Sequence, residues 1–284
     1  MDTVERALQK ARKNSTSRLG GAYSSRKQHR EAAVAARARL APGADNSKNL
    51  LDFVYKSTRV QLVPSEVLRR NRLLAGFHGE AVSDTYRMLR VQILQQLKSQ
   101  GGSSLAVCSA NAGEGKTLTS ANLAISLSLD PNRTVLLVDL DLRRPRLHHY
   151  FQIEVKQGIC DYLEGSAELA DCLVNPGISH FVLLPVRRPV LNSSELLSSS
   201  RITNLIEELG KRYPDRIVIY DLPPLLASDD SLVILPQVDS SLLVVQEGKT
   251  GAGAIQKARR LLQDHHLIGT VLNRSAQGNI HPYY

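Results

Sequence analysis

A nine-residue segment, SANAGEGKT at positions 109–117, carries the side chains best suited to phosphate chemistry. It matches the phosphate-binding loop G-x-x-x-x-G-K-[ST], except that alanine stands at the first glycine. Lys116 would reach the β- and γ-phosphates of a nucleoside triphosphate, and the Thr117 hydroxyl would bind Mg²⁺. The candidate loop residues are Ala110, Asn111, Ala112, Gly113, Glu114, Gly115, Lys116 and Thr117. The segment therefore predicts a nucleotide site that works with Mg²⁺.

Carboxylates follow two apolar segments, TVLLVDLD at 134–141 and RIVIYDLPP at 216–224. Asp139 and Asp141 are two residues apart, so they point to the same side if the strand continues through them. Asp221 is a candidate Mg²⁺ ligand, directly or through a water molecule. The alternative is that these aspartates merely end their strands. Ligands bind at the carboxyl ends of strands in open α/β sheets, which places all three beside the loop.

The elements around these residues alternate between strand and helix. An apolar strand at 105–108 precedes the loop, and a helical pattern at 117–129 follows it, as phosphate binding at a helix N-terminus requires. Further strands are predicted at 240–250 and 267–273, and helices from 83 and around 196–211 and 250–264. Ser83 or Asp84 would cap the helix that begins at 83. The pattern predicts an α/β P-loop NTPase fold, with a mostly parallel sheet flanked by helices.

The net charge of +9 lies in the first quarter of the 284-residue chain. Residues 1–70 hold 15 Lys and Arg against 6 Asp and Glu, whereas residues 71–284 hold 21 of each. We expect a basic N-terminal extension or linker at 1–75, a nucleotide-binding domain at 76–276 and a flexible tail at 277–284. The extension could bind an anionic membrane or an acidic partner, or remain a solvated tail. Its few aromatic residues make nucleic acid an improbable partner.

Other features of the composition bear on the compartment. No apolar run approaches the roughly 18–20 residues of a membrane span, and no signal-peptide core opens the chain. The three cysteines show no metal-binding spacing, which indicates a reducing cytoplasm.

Three motifs together resemble the bacterial tyrosine autokinases of capsule and exopolysaccharide biosynthesis, over roughly residues 80–275. They are SANAGEGKT, VLLVDLDLRRPRLHHYF and IYDLPPLLASDD. The second motif of that family, D-x-D-x-R, is matched by Asp139, Asp141 and Arg143, and the third, D-x-P-P, begins at Asp221. The family's subunit-contact motif E-x-x-R-x-x-R is matched by Asp84, Arg87 and Arg90, with aspartate in place of glutamate.

The resemblance implies transfer of the γ-phosphoryl group of ATP to protein tyrosine, with ATP and Mg²⁺ bound. Lys116 would hold the phosphates, Thr117, Asp141 and Asp221 would surround the metal, and Asp139 would accept the tyrosine proton. Arg143 would orient these carboxylates. Asn273, which ends the last strand, is a candidate adenine contact.

The resemblance also implies an assembly. A ring of identical subunits would phosphorylate Tyr283 and Tyr284 in the tails of its neighbours, since Gly278 and Pro282 keep the tail from forming a helix. A chain of the stand-alone type would be cytoplasmic, at the inner face of the membrane. A separate membrane protein, the regulator of polysaccharide chain length, would activate it.

A second reading comes from the septum-site and plasmid-partition ATPases, which share this type of sheet. They carry a signature lysine at the second loop position, where this chain has Asn111. The asparagine favours a kinase. The alternative is a non-kinase ATPase switch that dimerises on ATP and recruits a partner to the membrane.

Overall fold

The computed structural model describes residues 58–211 and 215–275. The strands are β1 (Arg59–Val60), β2 (Ser104–Ser109), β3 (Thr134–Asp139), β4 (Val174–Asn175), β5 (Phe181–Leu184), β6 (Arg216–Asp221), β7 (Ser240–Gln246) and β8 (Leu267–Asn273). The helices are α1 (Ser65–Arg70), α2 (Ala81–Gln100), α3 (Lys116–Ser128), α4 (Leu147–Phe151), α5 (Ile159–Glu164), α6 (Leu169–Cys172), α7 (Ser193–Leu197), α8 (Ser200–Lys211), α9 (Asp230–Ile234) and α10 (Ala252–Leu261). A 3₁₀ turn, Leu235–Gln237, follows α9. No helix within the described ranges is both long and apolar enough to cross a bilayer.

The eight strands form one sheet in the order β1-β4-β5-β3-β6-β2-β7-β8. Every neighbouring pair is parallel except β4 and β5. The carboxyl ends of β2, β3 and β6 therefore lie side by side at one edge. There the register pairs Asp139 with Asp221, and Asp221 with Val107. The predicted α/β fold is confirmed.

Both faces of the sheet are covered, which explains why the interiors of its central strands are continuous apolar runs. In β3, Leu136 and Val138 pack into one core with α8 and α10. Val135 and Leu137 pack into a second core with α2 and α3. A strand buried on both faces shows a continuous apolar run rather than an alternating one.

The short elements between β3 and β6, together with β1, were not predicted. Leu73 and Ala75 are buried in the core under α2, and β1 pairs with β4. The folded part of the chain therefore begins before the predicted boundary at residue 76.

The predicted cap of the long helix is wrong. Helix α2 begins at Ala81 with Glu80 at its N-cap, two residues before the expected start. The Ser83 hydroxyl is buried, and it donates instead to backbone carbonyls of the preceding segment, including those of Ala75 and Phe77. These hydrogen bonds connect the first turn of α2 to the segment at 75–77.

Candidate active site

The loop between β2 and α3 has the left-handed turns that phosphate binding requires. Gly113 and Gly115 have φ values of +80° and +96°, which residues with a Cβ rarely adopt. At Gly115 a Cβ would also lie 1.9 Å from Asn273 Nδ2. Ala110 is not among the residues with positive φ, and its methyl group packs in the core. Alanine at the first position therefore causes no strain.

The buried Glu114 side chain holds this loop in shape. Its carboxylate accepts hydrogen bonds from Asn111 N (3.1 Å), Asn111 Nδ2 (3.0 Å) and Thr250 Oγ1 (2.8 Å). Asn273 Nδ2 donates to the Glu114 carbonyl at 2.9 Å. Thr250, in the segment after β7, and Asn273, the last residue of β8, thus hold the loop in place from one side. We did not predict this role of Glu114 or Thr250, because contacts between residues more than a hundred positions apart have no local sequence signal.

Lys116 lies buried among the predicted aspartates. Its Nζ atom is 2.9 Å from Asp141 Oδ2, 3.8 Å from Asp221 Oδ2 and 3.2 Å from Thr117 Oγ1. Burial alone would lower the pKa of Lys116, but the neighbouring carboxylates outweigh burial and raise it above the usual value. Lys116 is therefore a fixed positive charge at the end of the loop.

Asp221 offers a carboxylate oxygen suited to a metal ion. Its Oδ1 accepts a hydrogen bond from Ser120 Oγ at 3.0 Å, while its buried Oδ2 accepts none within the described residues. Burial raises the pKa of this carboxyl group, and the Lys116 charge opposes that effect. Asp221 Oδ2, which has the Lys116 ammonium 3.8 Å away, and the nearby Thr117 hydroxyl are the hard oxygen donors that Mg²⁺ prefers. The residues present fit the metal.

Asp139, the predicted proton acceptor, is less accessible than Asp141, the predicted support of the metal. Strand β3 ends at Asp139, whose side chain has no exposed surface. Its Oδ1 and Oδ2 accept backbone hydrogen bonds from Asp141 N (3.2 Å) and Leu147 N (3.3 Å). Burial and the neighbouring carboxylate of Asp221 raise the pKa of Asp139 to about 8. A tyrosine hydroxyl cannot reach this carboxylate as it stands.

Asp141 is also buried, but it is slightly more accessible than Asp139. It is 7% exposed, and its Oδ1 accepts the backbone N–H of Arg144 at 3.1 Å. Its Oδ2 accepts a hydrogen bond from the Lys116 ammonium. Of the two carboxylates, Asp141 is therefore the less enclosed one.

Arg143 was predicted to orient the site carboxylates, but among the described residues its side-chain bonds are to other groups. Arg143 Nε donates to Ser193 Oγ at 2.7 Å and lies 3.3 Å from Asp230 Oδ2, and Nη2 donates to Ser194 Oγ at 3.2 Å. Its side chain points to α7 and α9, because the fully buried carboxylate of Asp230 attracts it.

The predicted subunit-contact residues lie on α2, away from the loop, and bind within the chain. Arg87 forms an ion pair with Asp84 at 2.9 Å. Arg90 Nη1 donates to the Ser126 carbonyl near the end of α3 at 2.7 Å. Arg87 could exchange its exposed ion pair with Asp84 for a contact to a neighbouring subunit with little loss of stability, whereas Arg90 would have to give up a bond within the fold. Tyr283 and Tyr284 lie outside the described residues.

The sequence from residue 105 to residue 282 matches the family model of the CobQ/CobB/MinD/ParA nucleotide binding domain. The chain is 32% identical over 193 residues to Tyrosine-protein kinase YwqD of Bacillus subtilis, covering 67% of this chain and 80% of that protein. It is 34% identical over 173 residues to Tyrosine-protein kinase CpsD of Streptococcus pneumoniae, covering 60% and 75%. The crystal structure of the VpsO kinase domain is similar with a TM-score of 0.62 and 31% identity, covering 69% of this chain and 96% of that one.

Other matches are partial or more distant. The chain spans only 22% of the length of Tyrosine-protein kinase ptk of Acinetobacter johnsonii, at 30% identity over 167 residues. It spans 24% of Tyrosine-protein kinase wzc of Salmonella typhi. The septum-site-determining protein MinD of Pyrococcus horikoshii, solved with Mg-ADP, has a TM-score of 0.53 at 23% identity, which shows a common fold alone.

Proposed function

The chain belongs to the bacterial tyrosine-protein kinases within the CobQ/CobB/MinD/ParA nucleotide-binding family, and from this premise we propose that it is an ATP-dependent tyrosine autokinase. The observation that carries the proposal is the position of Lys116, 2.9 Å from Asp141 and 3.8 Å from Asp221 at the end of the phosphate loop. Phosphoryl transfer depends mainly on positioning and charge neutralisation, and this arrangement supplies both.

The second loop position supports a kinase over an ATPase switch. The signature lysine of the switch proteins must leave its own loop to act on a neighbour's phosphates. Asn111, by contrast, is bound to Glu114 through both its backbone N–H and its side chain. It carries no charge and stays within its own loop. The resemblance to MinD, at 23% identity, concerns the fold alone.

We assign the proton transfer to Asp141. The phosphates of ATP compete with Asp141 for the Lys116 ammonium, and their binding releases Asp141 Oδ2. The tyrosine hydroxyl then gives its proton to that oxygen while its own oxygen forms a bond to the γ-phosphorus. The bond between the γ-phosphorus and the bridging oxygen breaks, and ADP departs with the electron pair. A tyrosine with an ordinary pKa near ~10 needs such a neighbouring base at neutral pH.

The remaining roles follow from the donor atoms. Thr117 and Asp221 would hold Mg²⁺, which supplies charge neutralisation on the phosphates when bound. Asp139 supports the turn by accepting the N–H groups of Asp141 and Leu147. The Asn273 side chain binds the Glu114 carbonyl, and its contact with adenine remains a proposal.

The phosphoacceptor proposal rests on the need for a mobile substrate. Tyr220 is buried in β6, so its hydroxyl cannot enter a neighbour's cleft. We place the acceptors at Tyr283 and Tyr284, and the subunit contact at Asp84, Arg87 and Arg90.

We further propose that the protein acts at the inner face of the membrane, in capsule or exopolysaccharide biosynthesis, with a separate membrane protein as activator. The chain spans about a quarter of the length of its longer relatives. The basic extension predicted at 1–75 is a candidate for anionic lipid.

The test is incubation of the purified protein with Mg-ATP, followed by phosphotyrosine blotting and a parallel assay of free phosphate. An autokinase accumulates phosphotyrosine, and Asp141→Asn should slow this while preserving nucleotide binding. Release of free phosphate with no phosphotyrosine, in the presence of any activator fragment, would support the ATPase switch.

A further inference from the structure

One buried carboxylate joins three segments that leave the catalytic edge of the sheet. Asp230, at the start of α9, has no exposed surface. It accepts hydrogen bonds from Ser193 Oγ at 2.8 Å and Ser194 Oγ at 2.7 Å, both on α7. Arg143 Nε lies 3.3 Å from Asp230 Oδ2. The segments after β3, β5 and β6 thus meet at this one side chain.

We propose that Asp230 is a positioning residue for phosphoryl transfer, which acts through Arg143 on the turn that carries Asp141. This inference rests on the proposed kinase function. Within the part of the chain that the structure describes, the hydrogen bonds and ion pair of Asp230 reach neither the phosphate loop nor the three site aspartates.

The turn from residue 141 to residue 144 is fixed at both of its ends. Arg144 N donates to Asp141 Oδ1 at 3.1 Å, and Val190 N donates to the Leu142 carbonyl at 2.9 Å. Arg143 lies between these two bonds, and its side chain adds a further attachment, to the buried carboxylate of Asp230. Without this attachment the turn that carries Asp141 would be held by the remaining bonds alone, so small shifts of the turn would cost less free energy.

The segment that carries Asp230 is itself anchored to the phosphate loop. Leu225 N donates to the Ser109 carbonyl at 2.9 Å, and Leu226 N donates to the Ala110 carbonyl at 3.1 Å. Asp230 follows four residues later. The position of the loop that holds ATP is therefore linked by short contacts to the turn that presents Asp141.

The chemistry of Asp230 suits a positioning role better than a purely stabilising one. Although burial alone would raise the pKa of Asp230, the Ser194 and Ser193 hydroxyls and the Arg143 charge together hold it below the usual value. Asp230 is therefore ionised at neutral pH. The Asp230 carboxylate is buried, but the Arg143 side chain is 45% exposed, so the pair adds little net stability and its main effect would be to hold the two segments together.

The experiment is a double-mutant cycle in the full-length chain with Asp230→Asn, Arg143→Gln and both together. The matched control is Asp264→Asn, which makes the same change at an exposed side chain after α10, outside this hydrogen-bond network. We expect kcat for autophosphorylation to fall by on the order of 10- to 100-fold in each single variant, because small misplacements of reacting groups cost this much. The Kd for a fluorescent ATP analogue should change less than about twofold, since Lys116 and the loop are intact. The control should retain wild-type kcat.

The cycle separates positioning from simple destabilisation. If both residues act through this one attachment, the double variant loses no more activity than either single variant. Additive losses would overturn the inference, as would wild-type kcat in Arg143→Gln, whose side chain is partly exposed and whose loss the fold should tolerate. Arg143→Gln therefore tests the positioning role even if Asp230→Asn fails to fold. A wild-type chain that makes no phosphotyrosine would overturn the proposed function and this inference with it.

Discussion

Replacing Lys116 with methionine should destabilise the protein in a strongly pH-dependent way. The ammonium group is the cation beside three carboxylates, Asp139, Asp141 and Asp221, and it forms ion pairs with Asp141 and Asp221 at 2.9 and 3.8 Å. Removing one partner of a buried ion pair costs about 3–5 kcal/mol, because the remaining charge is left without compensation. For a domain of this size, that corresponds to a fall in Tm of about 6–20 °C near pH 8.

The pH dependence follows from the direction of the pKa shifts. Burial already raises the pKa of Asp139 to about 8 and raises that of Asp221, while the Lys116 charge lowers both. Without the lysine these values rise further above the unfolded value of about 3.9, so the native state binds more protons than the unfolded chain. The stability of the variant then falls as the pH rises from about 4 to above 8. The deficit relative to the wild type should be small near pH 5, where the carboxylates can take up protons.

The assay is thermal unfolding of Lys116→Met and the wild type, without nucleotide, at half-unit intervals from pH 5 to pH 8.5. Lys98→Met, at an exposed position near the end of α2, controls for the loss of one positive charge. A deficit that is equal at every pH would refute the account of the carboxylates. So would a Tm within about 2 °C of the wild type at pH 8.

Four further predictions concern the other predicted site residues. Because the raised pKa of Asp139 makes the wild type less stable as the pH rises from about 4 to about 8, Asp139→Asn should reduce this pH dependence in thermal unfolding. An unchanged dependence of Tm on pH would show that another group titrates. Arg87→Ala should reduce the mass of the oligomer in light scattering with no change in Tm. Arg90→Ala should lower Tm by about 3–12 °C, because it loses a hydrogen bond from a charged guanidinium to a backbone carbonyl, worth about 1.5–3 kcal/mol. Deleting residues 283–284 should remove most phosphotyrosine while ATP binding persists, and mass spectrometry that places the phosphate before residue 58 would contradict it.

The fold was predictable because its central strands carry their own signal. An apolar run such as that of β3, followed by aspartate, is readable without any knowledge of its neighbours. Strands β1 and β4 have two residues each and exist only because they pair with one another and with β5. Elements that depend on pairing rather than on their own pattern cannot be predicted from a short window.

The positions of the site residues were more predictable than their roles. The motifs brought Lys116, Asp141 and Asp221 together as expected. The exposure of Asp139 and the direction of Arg143 were not accessible, because both depend on partners far along the chain. Arg143 finds its carboxylate 87 positions later, at Asp230. No spacing rule in the D-x-D-x-R motif contains that information.

The alanine at the first loop position shows that only some glycines of the motif are required by the backbone conformation. Gly113 and Gly115 occupy left-handed conformations, and at Gly115 the Asn273 side chain would also collide with a Cβ. Position 110 has no positive φ, and its carbonyl accepts the N–H of Leu226 while its methyl group fills the core. Alanine there restricts the unfolded chain without straining the native one, an effect worth about 0.4–1 kcal/mol in favour of folding. The loop needs glycine only where the backbone must turn its N–H groups toward phosphate, and this chain retains it at both of those positions.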